Sequence, residues 1–172
     1  MAKEFDLKIL ASDHKFYEGK CRDIVIPTEM GYFGILANHD DIALAMVPGT
    51  IHFSCPAEER SASEAGKGEK ANGSAQTGTQ TGEGGASDSG YVTRYAVTGT
   101  GIATVRDNSV NILVDFAEKP EEIDEKRAKE ARERAKEQLR QKRSITEYER
   151  SQASLARAMA RLSGRRLLDK DL

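Results

Sequence analysis

The chain has 172 residues, of which 38% are hydrophobic and 31% charged, with a formal net charge of −2. That balance suits one soluble domain with an appendage and argues against a general nucleic-acid binder. No stretch approaches the roughly 20 apolar residues of a membrane-spanning helix, and the opening MAKEFDLKIL lacks the basic and apolar portions of a secretory signal.

The first element is a strand: Phe5, Leu7, Ile9 and Ala11 alternate with polar neighbours, the period of a sheet with one buried face. Further strand-like runs are CRDIVIP, YFGIL, IALAMV and GTIHF, punctuated by Glu18-Gly19, Pro27, NHDD and Pro48-Gly49. After Tyr91 the pattern resumes in YVTRYAV, GIATVR and NILVDF, with RDNS as a tight turn at Asp107 and Asn108. Many short strands at this spacing predict a β-sandwich or barrel. Between the two groups, residues 54–90 contain no Val, Ile, Leu, Met, Phe, Tyr or Trp. Such a run cannot offset an ordering entropy of about 1–2 kcal/mol per residue by apolar burial, so a disordered insertion is expected there. Cys21 and Cys55 are too far apart for a metal knuckle and too few for a disulfide framework, which points to a reducing cytosol.

From Pro120 the period becomes helical. Pro120 suits a first turn, and Glu121, Glu122, Asp124 and Glu125 lie where the helix dipole favours negative charge. Ser144 and Glu147 form a capping box that opens a second helix, which Gly164 is expected to end. The short junction predicts an antiparallel hairpin. At about 100° per residue, Asp124, Arg127, Ala128, Ala131, Arg134, Ala135, Gln138 and Leu139 share one face of the first helix. On the second, Tyr148, Leu155, Met159 and Leu162 make an apolar packing stripe, with Arg150, Arg157 and Arg161 opposite. Residues 117–172 hold 16 Lys/Arg against 12 Asp/Glu, whereas 1–116 hold 10 against 16. A basic tail thus follows an acidic body, a pattern of interaction elements.

Two segments carry a resemblance. GYFGILANHDDIALAMVPGTIHF contains Gly31, Gly34, His39, Pro48 and Gly49 at family spacing, and YAVTGTGIATVRDNSVNILVDFAEKPEEID runs as a strand pair into the helices. Here the chain resembles the ε subunit of F-type ATP synthases, at both ends and outside 54–90 only. Asp40-Asp41 departs from the family's common Ala-Pro. The resemblance implies a ten-stranded β-sandwich over 1–117, interrupted by the insertion, and a regulatory helical hairpin over 118–172. It implies a non-catalytic subunit of the rotating central stalk, seated between the γ subunit and the c-ring. Such a subunit couples proton flow to ATP synthesis and restrains hydrolysis, its extended hairpin reaching the α/β catalytic head. The location implied is peripheral, at the cytoplasmic face of a bacterial plasma membrane, with Gly31, Gly34, His39 and Pro48 as partner-contact candidates.

ATP-binding members of that family carry an Ile/Leu-Asp-x-x-Arg-Ala motif, which Ile123, Asp124, Arg127 and Ala128 match. Glu118, Arg134, Arg157 and Arg161 are the further counterparts of that site. A triphosphate calls for several guanidinium forks, and an adenine amino group for acceptors. Asp124 and Arg127 could equally pair within a turn. No cofactor is required, and regulatory ATP is the candidate ligand. A stand-alone nucleotide sensor and a purely structural adaptor remain the rival classes. No phosphate-binding loop of the Gly-x-x-x-x-Gly-Lys-Ser/Thr type is present, and GTGIAT is followed by strand-like sequence, not a helix. His14, His39 and His52 are scattered, and nothing resembles a metal set or a nucleophile and base pair.

Overall fold

The computed structural model describes residues 4–57, 90–141 and 144–168, so 58–89, most of the expected insertion, lies outside it. The strands are β1 (Phe5–Ala11), β2 (Lys15–Cys21), β3 (Asp23–Thr28), β4 (Gly31–Leu36) and β5 (Ile42–Met46), then β6 (Gly49–Pro56) and β7 (Tyr91–Thr98). β8 (Gly101–Arg106), β9 (Ser109–Val114) and the short β10 (Ala117–Glu118) follow. Two helices close the chain, α1 (Glu125–Arg140) and α2 (Ile145–Leu168).

The strands form two five-stranded sheets, ordered β2-β1-β9-β8-β5 and β10-β7-β6-β3-β4, with β1 and β9 the parallel pair. The first will be called the open sheet and the second the covered sheet. Alternation decides what lies between them: Phe5, Leu7, Ile9, Val110 and Ile112 of the open sheet meet Ile24, Ile26, Ile35, Ile51 and Phe53 of the covered sheet, all nearly free of solvent. β6 runs to Pro56, so Ser54, Cys55 and Pro56 pair with Thr93, Val92 and Tyr91 instead of beginning the insertion. Cys55 is buried there, and the ladder continues to a bond from the Ala57 N–H to the Gly90 carbonyl at 3.0 Å.

One turn ties an end of the sandwich together. Asp107 and Asn108 have φ of 50° and 56°, the left-handed pair that a two-residue hairpin between β8 and β9 requires. The Asn108 side chain then accepts from the Asn38 N–H at 2.7 Å and donates to the Glu4 carbonyl at 2.8 Å. Asp41, in the departure from the family pattern, accepts from the Asp107 N–H at 3.4 Å.

The helices differ from expectation at three points. Pro120–Glu122 is only a 3-10 turn, because Ile123 and Asp124 are extended, and α1 starts at Glu125 with Asp124 as its N-cap. Gly164 does not end α2, which continues to Leu168. The stripe is also only partly internal: Leu162 is buried, whereas Tyr148 and Met159 are about half exposed at 48% and 50%. The buried residues of α2 are mainly small, including Ser151, Ala158 and Ala160, and those of α1 are Ala128 and Ala135. Small side chains let the helices approach closely, and α1 packs principally on α2, which itself packs on β6 and β7. The layers are therefore open sheet, covered sheet, α2 and α1.

Asn108→Gly keeps the left-handed turn while removing two side-chain hydrogen bonds. It should cost about 1–3 kcal/mol in denaturant unfolding, and an unchanged midpoint would show that this clamp contributes nothing.

Candidate functional site

The hairpin meets the sandwich along a row of arginines. Arg157, Arg161 and Arg165 recur every four residues on α2 and so share a face. Arg157 reaches Asp115 at 4.0 Å. Arg161 donates through Nε and Nη2 to the two carboxylate oxygens of Glu118, at 2.8 and 2.6 Å, while its guanidinium lies 4.2 Å from the centre of the Phe116 ring. Arg165 donates to the carbonyls of Pro120 and Glu121, each at 3.4 Å. The rungs follow the 115–121 segment in chain order, so they fix the helix both in position and in direction.

Glu118 holds Arg161 protonated above the ordinary arginine range, chiefly through the hydrogen bonds, against the opposing effect of partial burial; the charges of Glu118 and Asp115 add to this. A raised value means that Arg161 contributes fully below its unfolded pKa. That contribution is lost only as the pH rises through the folded value, so it persists across the neutral range.

A cleft of about 430 Å³ opens beside this row, within the usual size of a small-ligand site. Glu118, Ile123, Asp124, Arg127, Ala128, Arg134 and Arg161 line it, together with Glu122, Ala131 and Ala158. Seven of the eight residues expected at a nucleotide site thus share one concavity. Arg157 does not, being directed to Asp115. The linker, α1 and α2 each supply part of the wall.

Within the motif each residue has a local task. Ile123 is buried with Val97, Ala160 and Phe116, which anchors the start of the hairpin. Asp124 accepts from the backbone N–H of Arg127 at 3.1 Å, so the pair is joined through an N-cap and not through the guanidinium. The Arg127 guanidinium has no hydrogen-bond or ion-pair partner among the described residues. Arg134 donates to the Glu130 carbonyl at 3.3 Å. The cleft therefore holds one unengaged guanidinium, one lightly held and one already clamped. Sequence reasoning missed Asp115, Phe116 and Arg165; the four-residue recurrence of Arg157, Arg161 and Arg165 was the signal for the last.

The partner-contact candidates do not form one patch. Gly31, at φ 119°, and Pro48 lie at the end of the sandwich where β4 and β6 begin, with Gly34 exposed midway along β4. His39 follows the far end of β4, its Nδ1 2.8 Å from the Asp40 carbonyl and its ring 5.6 Å from that of Phe33. A six-residue strand, about 20 Å long, separates the two ends.

Arg161→Lys keeps the charge but removes the fork and the stacked plane. Because the pair is about one-third exposed, hydrogen-exchange protection of α2 amides should fall about fivefold, equivalent to roughly 1 kcal/mol. Unchanged protection would show that the fork does not hold the helix.

Comparison with known proteins agrees with this architecture. A family model for the beta-sandwich domain of the ATP synthase Delta/Epsilon chain matches residues 4–64, and one for the long alpha-helix domain of the same chain matches 121–163. The ATP synthase epsilon chain of Ruminiclostridium cellulolyticum is 34% identical over 159 residues, covering 92% of this chain and 93% of that protein. The epsilon chain of Caldanaerobacter subterraneus subsp. tengcongensis is 36% identical over 163 residues, covering 94% of each. A chain in the cryo-EM structure of the Euglena gracilis mitochondrial ATP synthase, OSCP/F1/c-ring, shares the fold. Its TM-score is 0.61 at 21% identity, over 91% of this chain and 78% of that one. With both domains matched and bacterial relatives aligned over nearly their whole length, this chain belongs to the ATP synthase epsilon-chain family, whose members are non-catalytic subunits of the F-type enzyme.

Proposed function

We propose that this chain is the ε component of a rotating central stalk, docking through its sandwich to γ and the c-ring while its hairpin restrains ATP hydrolysis in an ATP-responsive way. One observation carries the docking half. The covered sheet is overlaid by its own α2, whereas the outer face of the open sheet presents an apolar row. Leu10 pairs with Leu113, Leu113 with Ile102 and Ile102 with Ala45, so four strands contribute adjacent side chains. Leu10, Ile102 and Leu113 are 38%, 55% and 60% exposed. A contiguous apolar row on an otherwise polar face is what a protein partner covers. The partner to which family membership points is γ. With no described helix long and apolar enough to cross a membrane, attachment at the cytoplasmic face of a bacterial membrane would come through the complex.

The regulatory half rests on the cleft. Its wall is built from the linker and both helices, so an anion gripped by Arg127, Arg134 and Arg161 favours the compact hairpin over any arrangement that separates them. At 100 times its dissociation constant, ATP binding the compact state alone adds about 2.7 kcal/mol. Taking a population from 1:99 to 99:1 needs about 5.5 kcal/mol. Nucleotide thus biases the equilibrium, with rotor torque or the catalytic head supplying the rest. The extended hairpin would present its basic face to acidic groups of the α/β head.

Two measurements test the two halves separately. Leu113→Asp should weaken capture by purified γ at least tenfold, about 1.4 kcal/mol, without lowering the melting midpoint; capture at wild-type strength would remove γ from this face. In isothermal titration the isolated chain should bind ATP, and Arg127→Ala should weaken binding at least tenfold. Absence of heat with wild-type protein would leave a structural adaptor, whereas ATP binding without γ capture would leave a stand-alone sensor.

A further inference from the structure

We propose that Gly164 is the positioning residue of the hairpin: its missing side chain is the notch by which α2 seats on the sandwich, and the seat sets the reach of Arg161 into the cleft. After proline, glycine is the poorest helix former, yet Gly164 lies within α2 and is buried. A Cβ there would stand 2.1 Å from Cγ2 of Val97 and 3.3 Å from Oγ1 of Thr50. The first distance is far inside van der Waals contact, so one side has to move. Val97 has little freedom to do so. It is fully buried, β-branched, and paired with Thr50 on one side and Glu118 on the other in the covered sheet. The helix is the part that must lift.

Arg161 precedes the notch by three residues, nearly one turn, and so shares its face. The fork to Glu118 at 2.6 and 2.8 Å, and the ring contact with Phe116, are made at the approach distance that Gly164 permits. Ala160, one turn back, belongs to the same buried cluster as Val97, so the seat has small residues at two successive turns of α2. Removing the notch should therefore release α2 and carry Arg161 out of the cleft wall without altering any charge. This rests on the proposed mobile hairpin, but seating itself is measurable in the isolated chain with neither nucleotide nor γ.

The test uses the full chain carrying spin labels at Met159→Cys on α2 and Tyr32→Cys on the sandwich, both positions exposed. Gly164→Val should add a second, different distance and lower the seated-to-released ratio at least tenfold. Gly164→Ala should do so less strongly while raising helicity, since alanine is the better helix former; release with increased helicity separates loss of the seat from loss of the helix. Val97→Ala removes the opposing methyl groups and should restore the single distance in the Gly164→Ala background. If Gly164→Val proves poorly folded, the alanine pair decides. A single unchanged distance in Gly164→Ala, or release that Val97→Ala fails to reverse, would overturn the notch. Failure of ATP binding with seating intact would instead overturn only the proposed nucleotide response.

Discussion

The arrangement depends on how α2 is held against the covered sheet. Its contacts are a row of arginines on the 115–121 segment and a strip of small residues on Val97. Neither resembles a deep hydrophobic core. The apolar cluster at the junction comprises Val97, Ile123 and Ala160 with Phe116 alongside, whereas the sandwich interior has large aliphatic and aromatic side chains on both inner faces. A helix fixed by charge pairs about one-third exposed and by short side chains has less to lose on leaving than a core element does. The sandwich has the deep apolar core, and the hairpin's hold on it is the shallower one.

That contrast explains why a ligand could matter here. The cleft is not carved into either helix; it exists because the linker, α1 and α2 converge, and any arrangement that parted them would abolish it. Binding energy gathered across such a seam is differential by construction, because the separated state offers no equivalent surface. Glu118 has two attachments in this picture. It is the last residue of β10 and the acceptor for Arg161, so the sandwich and the cleft share one carboxylate.

Much of the fold was legible because strand alternation reports burial directly. β1 reads apolar and polar by turns and is buried and exposed by turns. The turn at Asp107 and Asn108 was legible for an equally local reason, since few non-glycine residues accept two successive left-handed conformations. The helices were harder. A helical projection assumes one continuous helix, but the chain is extended at Ile123 and Asp124, which changes the role of the motif aspartate from face residue to cap. The apolar stripe misled similarly: Tyr148 and Met159 are half exposed, while alanines and a serine, weak in any hydrophobicity pattern, are inside. Close packing of small residues leaves little periodic signal.

Gly164 shows where local rules reverse. By propensity it marks an end, and by position it is a contact. Only the identity of the residue opposite distinguishes the two, and Val97 lies 67 positions earlier in the chain. The same holds for the arginines: their spacing placed Arg157 and Arg161 on one helical face, but not their different partners, Asp115 and Glu118. Arg157 reaches Asp115 instead of the cleft, so Arg127, whose guanidinium is unengaged among the described residues, is the cleft arginine open to the proposed anion. Recruiting Arg161 to that anion would draw on its fork to Glu118. Under the proposed nucleotide response, affinity and hairpin docking would be coupled through that one side chain, so that a substitution at Arg161 would move both.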